Sequence, residues 1–146
     1  MKQLALMAIL VVGLTLVGCG SNSTNSSNIN GTWNATLLSN SNTTDFNFGT
    51  SFTTKGDGSL SFVNFSFTSN SPCFDSGETA SGSFVLSGNF NGQVSGKFGM
   101  NVQSGSPSGN TLALTGTTSG NTISGTWVLT GSSGCTGNGT FTMTKM

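Results

Sequence analysis

From residue 29 onward, apolar side chains return at every second position in short runs, and clusters of Gly, Asn, Ser and Asp separate the runs. This is the pattern of half-buried antiparallel strands. A helix needs a 3.6-residue period, which no stretch beyond residue 18 provides. Eight segments follow from the alternation: 31–38, 45–54, 59–68, 79–90, 93–102, 110–117, 121–130 and 140–145. Their inward residues include Trp33, Phe46, Phe48, Phe52, Phe65, Phe84, Phe98, Trp127 and Phe141. In segment 59–68 the phase changes: Leu60 and Phe62 share one parity, while Val63, Phe65 and Phe67 share the other, which predicts a β-bulge near Phe62 and Val63. Lys55-Gly56-Asp57-Gly58 and Asn91-Gly92 read as hairpin turns. The pentapeptides at 108–112 and 119–123, Ser-Gly-Asn-Thr followed by Leu or Ile, read as two similar turns rather than as a repeat architecture.

Consecutive strands with short connections suit an all-β, antiparallel up-and-down barrel of about eight strands, whose closure removes the sheet edges; a two-sheet β-sandwich is the alternative. Eleven Phe and two Trp supply a core, and 22 Gly against two Pro suit many tight turns. Outward positions are Ser, Thr, Asn and Gly, as in Thr140, Thr142 and Thr144. A membrane-spanning barrel would carry an apolar outer band there, so this barrel is expected to sit in water.

Charge is sparse, with four Lys, no Arg, three Asp, one Glu and no His. Nucleic-acid binding needs clustered cations, and Lys55, Lys97 and Lys145 are far apart in the chain. The lack of His excludes Ser-His-Asp and Cys-His catalysis. The remaining acid pair, Asp75 and Glu78, would be the residues of an envelope hydrolase. Both lie in a Ser/Gly/Pro loop, where carboxylates ordinarily cap turns or face solvent. Phe74-Asp75-Ser76-Gly77 matches the Asp-Ser/Thr-Gly signature of aspartic proteases, which need two such aspartates; this chain has one. No catalytic, metal-binding or cofactor-binding residue is therefore assigned, and no cofactor is expected.

The first 18 residues open with Met1-Lys2-Gln3 and continue through an apolar run from Leu4 to Val17. A signal-peptide core takes roughly 7–15 apolar residues and a membrane-spanning helix about 20, so the length points to export. Leu16-Val17-Gly18-Cys19 resembles the lipobox of bacterial cell-envelope lipoproteins. An ordinary secretory signal with a cysteine near its end is the alternative. The resemblance implies residues 1–18 as signal peptide and Cys19 as the lipidation site, carrying a diacylglycerol thioether and a palmitate-type chain on its amine. Two or more chains anchor stably where one binds only reversibly. Residues 20–28, without an apolar side chain, read as a flexible Ser/Asn linker, and 29–146 as a single β domain. In diderm lipoproteins an Asp after the cysteine favours inner-membrane retention; here it is Gly20, so the resemblance implies the outer membrane.

With Cys19 assigned to lipid, Cys73 and Cys135 remain as a pair in an oxidising compartment, and a disulfide is expected; a metal site would need ligands the chain lacks. Gly31-Thr32-Trp33, with Trp127-Val128-Leu129-Thr130 and Gly139-Thr140-Phe141-Thr142, resembles eight-stranded barrels of the avidin and lipocalin type. Ser39 matches that family's first-strand serine, whereas Ala35 replaces a biotin-binding Asn, Gly139 replaces an acidic residue, and Tyr is absent. The chain is also similar to small uncharacterised envelope lipoproteins ending in Gly-Thr-Trp, Cys-Thr-Gly and Gly-Thr-Phe-Thr segments. The expected function is a lipid-anchored, non-enzymatic binding or structural module whose partners are the membrane, through Cys19, and an unassigned ligand or envelope protein. A lipocalin-like carrier of a small apolar ligand is the alternative.

Overall fold

The computed structural model describes residues 29–41, 44–68, 73–74, 78–86, 95–104, 109–132 and 134–146. Eight strands follow one another: β1 (Gly31–Ser39), β2 (Thr44–Thr54), β3 (Ser59–Phe67), β4 (Thr79–Leu86), β5 (Ser95–Gln103), β6 (Thr111–Ser119), β7 (Thr122–Thr130) and β8 (Gly137–Lys145). Each pairs antiparallel with the next, and β1 pairs with β8, closing an up-and-down barrel. The sandwich alternative is thereby excluded. Alternation decides which side chains enter: Trp33, Ala35 and Leu37 of β1 are buried, while Thr32, Asn34 and Thr36 are exposed.

The meander gives the barrel two unlike ends. Chain entry at Ile29, the 55–58 turn and the Gly120-Asn121 turn lie at one end, called here the turn end. The longer connections after β3, β5 and β7 lie at the other, the mouth. In the 55–58 turn Gly58 N–H donates to Lys55 O at 3.0 Å and Gly58 has φ of 82°. Between β6 and β7, Gly120 has φ of 57° at the first turn position, as a type II′ hairpin requires. Gly109, its counterpart in the echoed pentapeptide, has φ of 60°; it lies in the longer connection between β5 and β6, of which residues 105–108 fall outside the described residues.

The bulge in β3 lies slightly beyond its expected place. Gly49 faces Ser66 and Ser51 faces Val63, which leaves Asn64 and Phe65 together opposite Thr50. Asn64 takes φ of 54°, a left-handed conformation that Asn tolerates better than most residues. Val63 therefore stays outward, 54% exposed, and only after the bulge do Phe65 and Phe67 turn in, half-buried. Strand β8 starts at Gly137 rather than at 140, because Gly137, Asn138 and Gly139 pair with Leu129, Val128 and Trp127. What reads as a glycine-rich loop is strand because a Cβ on Gly139 would lie 1.9 Å from Leu38 O: the neighbouring backbone occupies that space. The Asn91-Gly92 turn, Val94 and the expected strand residues 87–90 fall outside the described residues.

Candidate functional site

The lumen is the first place to look for a site in an eight-stranded barrel, since it holds either side chains or one small ligand. Here rings cross it. Phe52 of β2 meets Phe98 of β5 at 6.0 Å between centroids, Phe98 meets Phe141 of β8 at 6.3 Å, and Phe46 of β2 stands edge-on to Trp127 of β7 at 5.7 Å. Each pair joins strands that are not neighbours, so aromatic rings bridge the lumen from wall to wall. Trp33 stacks on Phe52 at 5.7 Å, and its indole N–H donates to Ile29 O at 2.8 Å, seating the incoming chain under the turn end.

Inward glycines make this crossing possible, and the alternation of large residues alone does not reveal them. Along one row Phe98 faces Gly116, Gly116 faces Gly125 and Gly125 faces Phe141. Two adjacent walls without side chains leave room for Phe98 and Phe141 to meet. A Cβ on Gly116 would lie 2.9 Å from the Phe141 ring, and one on Gly96 would lie 2.4 Å from the Phe84 ring.

At the mouth, described residues of two connecting loops meet across the barrel. Cys73 and Cys135 form the expected disulfide, with Cα atoms 5.5 Å apart. It joins the β3–β4 and β7–β8 connections, which are half the ring apart in strand order, so the bridge spans the mouth. Phe74 follows directly and plugs the opening, stacking on Phe67 at 4.7 Å and meeting Phe46 edge-on at 6.0 Å. Beneath lies Asn110, 1% exposed. Its Nδ2 donates to Cys73 O at 2.7 Å and its Oδ1 accepts from Ser132 N–H at 2.9 Å, tying the two bridged loops to the end of β5–β6. Sequence reading missed Phe74 as core and Asn110 as a hub. The twin position in the echoed turn, Asn121, is exposed, so nothing local distinguishes the two asparagines.

The ladder between β3 and β4 is short. Only Ser59 with Ser83 and Leu60 with Gly82 are in register, supported by Phe84 N–H donating to Gly58 O at 2.8 Å. All of this lies at the turn end, and toward the mouth half-buried Phe62, Phe65 and Phe67 line the inner side of the seam.

Of the candidate catalytic pair, Glu78 immediately precedes β4 at the mouth, and Asp75 falls outside the described residues. Asp57 is at the opposite end, in the 55–58 turn. Its Oδ1 accepts Ser59 Oγ–H at 2.6 Å and Ser59 N–H at 2.9 Å, and these bonds, with a lesser contribution from Lys55, hold its carboxyl below the ordinary value of 3.8. Among the described residues no three His, Cys, Asp or Glu side chains gather as a metal site. Cys19 is likewise outside the described residues.

Two surface features remain. A groove of about 440 Å³ at the turn end is lined by Thr54, Lys55, Asp57, Phe84 and the exposed Val85. The outer wall of β6, β7 and β8 carries three rows of exposed hydroxyls: Thr115, Thr126 and Thr140; Thr117, Ser124 and Thr142; Ser119, Thr122 and Thr144. Such a wall is made for water. Compared with known proteins, the chain matches no family model, no curated protein and no solved structure.

Proposed function

We propose that this protein is a lipid-anchored, non-enzymatic barrel of the bacterial cell envelope that acts as a binding or structural module through its outer surface and loops. The observation that carries the reading is the crossed lumen, where Phe52 meets Phe98, Phe98 meets Phe141 and Phe46 meets Trp127. A carrier of a small apolar ligand would need that volume, and these rings would have to leave it. Ala35, at the place of the avidin-type ligand Asn, is itself buried beside Phe48.

The anchor rests on Leu16-Val17-Gly18-Cys19, and Gly20 after the cysteine favours the outer membrane. It also accounts for the odd cysteine, since the other two are bonded to each other. The hydroxyl wall of β6 to β8 suits a body held outside the bilayer by a lipidated N-terminus. The test is the intact mass of the mature protein from its own envelope. A chain beginning at Cys19 with a diacylglyceryl thioether is the expected result; a free Cys19 thiol, or cleavage at another residue, overturns the anchor. Native mass spectrometry of the same preparation checks the interior, and a stoichiometric apolar small molecule would restore the carrier.

A further inference from the structure

The charges of this domain are few, but the fold sorts them. All three lysines after the leader come to the turn end: Lys55 on the β2–β3 turn, Lys97 as the third residue of β5 and Lys145 as the last of β8. Two to three strands separate each from the next around the ring; Lys97 is exposed on the outer wall and Lys145 is half-buried at the end of β8. Among the described residues the turn end holds one acidic side chain, Asp57, which stays a carboxylate under its bonds from Ser59 and offsets one of the three positive charges. Asp45, in the opening of β2, and Glu78, before β4, lie at the mouth, and Asp75 is outside the described residues. By position in the fold, the lysines of the described residues thus gather toward one end of the barrel.

The chain also enters at that end. Ile29 is fully buried there beneath Trp33, and 28 residues precede it. Ten residues, 19–28, separate Cys19 from the barrel and can reach about 35 Å at full extension. A tether of that reach keeps the turn end near the bilayer without fixing its orientation, so surface chemistry decides which way the barrel faces. Val85, 60% exposed, is the direct cross-strand neighbour of Lys97 and shares the groove with Lys55 and Asp57, which places an apolar contact among charged side chains of which two are cations.

We propose that the turn end docks onto anionic phospholipid headgroups of the leaflet that holds the anchor, with Lys55, Lys97 and Lys145 as the contacts and Val85 seated between headgroups. The proposal rests on the lipid anchor inferred above and adds to it an orientation: axis upright, with the disulfide-bridged mouth facing away. Each lysine near an anionic surface strengthens binding about fivefold, so three contribute on the order of a hundredfold. The attraction decays within a Debye length of about 8 Å at physiological salt and about 3 Å at 1 M.

The experiment uses the lipidated mature chain in vesicles carrying nitroxide-labelled headgroups, with a fluorophore on Val85→Cys at the turn end or on Gln103→Cys at the mouth. In phosphatidylglycerol-containing vesicles the probe at position 85 is quenched several-fold more than the one at 103. The difference disappears in 1 M salt, in pure phosphatidylcholine, and in the Lys55→Gln/Lys97→Gln/Lys145→Gln variant, whose fold is checked by circular dichroism. Equal quenching at both positions, stronger quenching at 103, or a difference indifferent to lipid charge overturns the docking. The anchor is tested separately by the N-terminal mass. If Cys19 is unmodified, salt-sensitive quenching at 85 by added anionic vesicles sustains the docking face while the anchor falls, and its absence removes both.

Discussion

Replacing Gly125 by Ala tests whether the paired inward glycines set the geometry of the core. An added Cβ would lie 2.1 Å from Thr115 O and 2.5 Å from Gly116 Cα, both backbone atoms of the neighbouring strand. No side-chain rotation relieves those contacts. β6 and β7 must part by about 1 Å, enough to weaken ladder bonds that prefer about 2.9 Å. Overpacking of this kind costs about 1–3 kcal/mol, weakened bonds add about 1, and relief of glycine's entropy in a strand returns about 0.5–1. The expected net loss is about 2–3 kcal/mol. For a domain of about 118 residues the unfolding entropy is roughly 0.25 kcal/mol/K, so Tm falls by about 10 °C. Gly56→Ala is the control: its Cβ meets nothing within 4 Å, and its expected change is within about 0.5 kcal/mol. Thermal and urea unfolding followed by Trp fluorescence measure both. A Gly125→Ala protein melting within about 2 °C of wild type would refute the reasoning, because the strands would then have room that the structure denies them.

Three further outcomes follow from the same packing. The Cys73→Ala/Cys135→Ala protein, losing a bridge across a separation of 62 residues, is expected to be about 4 kcal/mol less stable in urea titration; a loss under about 1 kcal/mol would mean that the mouth holds itself shut. Thr50 Oγ1 and Thr118 Oγ1 are buried with no hydrogen-bond partner among the described residues, so Thr118→Val and Thr50→Val should each raise stability by about 1 kcal/mol, and a decrease in both would reveal bound water there. Asp57 has its carboxyl lowered in the fold, so its small contribution is complete above the unfolded value near 4 and fades as pH falls through the lower folded value. With no histidine in the chain, urea midpoints should be flat between about pH 5 and 8, and a step in that window would expose a titrating group outside this account.

How far the sequence could be read depends on which signals were local. Period-two alternation marks strands whatever their partners, so all eight strands and most inward aromatics, such as Phe46, Phe98 and Trp127, were legible. The cysteine pair was legible because only two cysteines remained once Cys19 had been set aside as the expected lipidation site. What alternation cannot show is which glycines face inward. Gly116 and Gly125 look like any other glycine until the register sets them side by side between Phe98 and Phe141. The bulge was visible as a change of phase, but its site depends on the backbone tolerance of Asn64 rather than on hydrophobicity. Asn110 owes its role to Cys73, 37 residues away in sequence, and Phe74 owes its role in part to Phe46 of β2, and no short window of sequence holds either contact. The disulfide was local arithmetic, whereas of the acid pair only Glu78 lies among the described residues, immediately before β4.

The short ladder between β3 and β4 has a consequence for crowding. A closed barrel has no edges, but one opened at this seam becomes a flat eight-stranded ribbon with β3 at one border and β4 at the other. Many identical chains tethered to one membrane would present those borders to each other at high local concentration, the situation in which strands add edge to edge into polymers. The bridge joins Cys73, in the connection leading into β4, to Cys135, in the connection leading into β8, so it holds the β4 border close to the far side of the ring even when the seam frays. Under the proposed anchor, the bridge would then serve less to stabilise one molecule than to keep neighbouring molecules from becoming one.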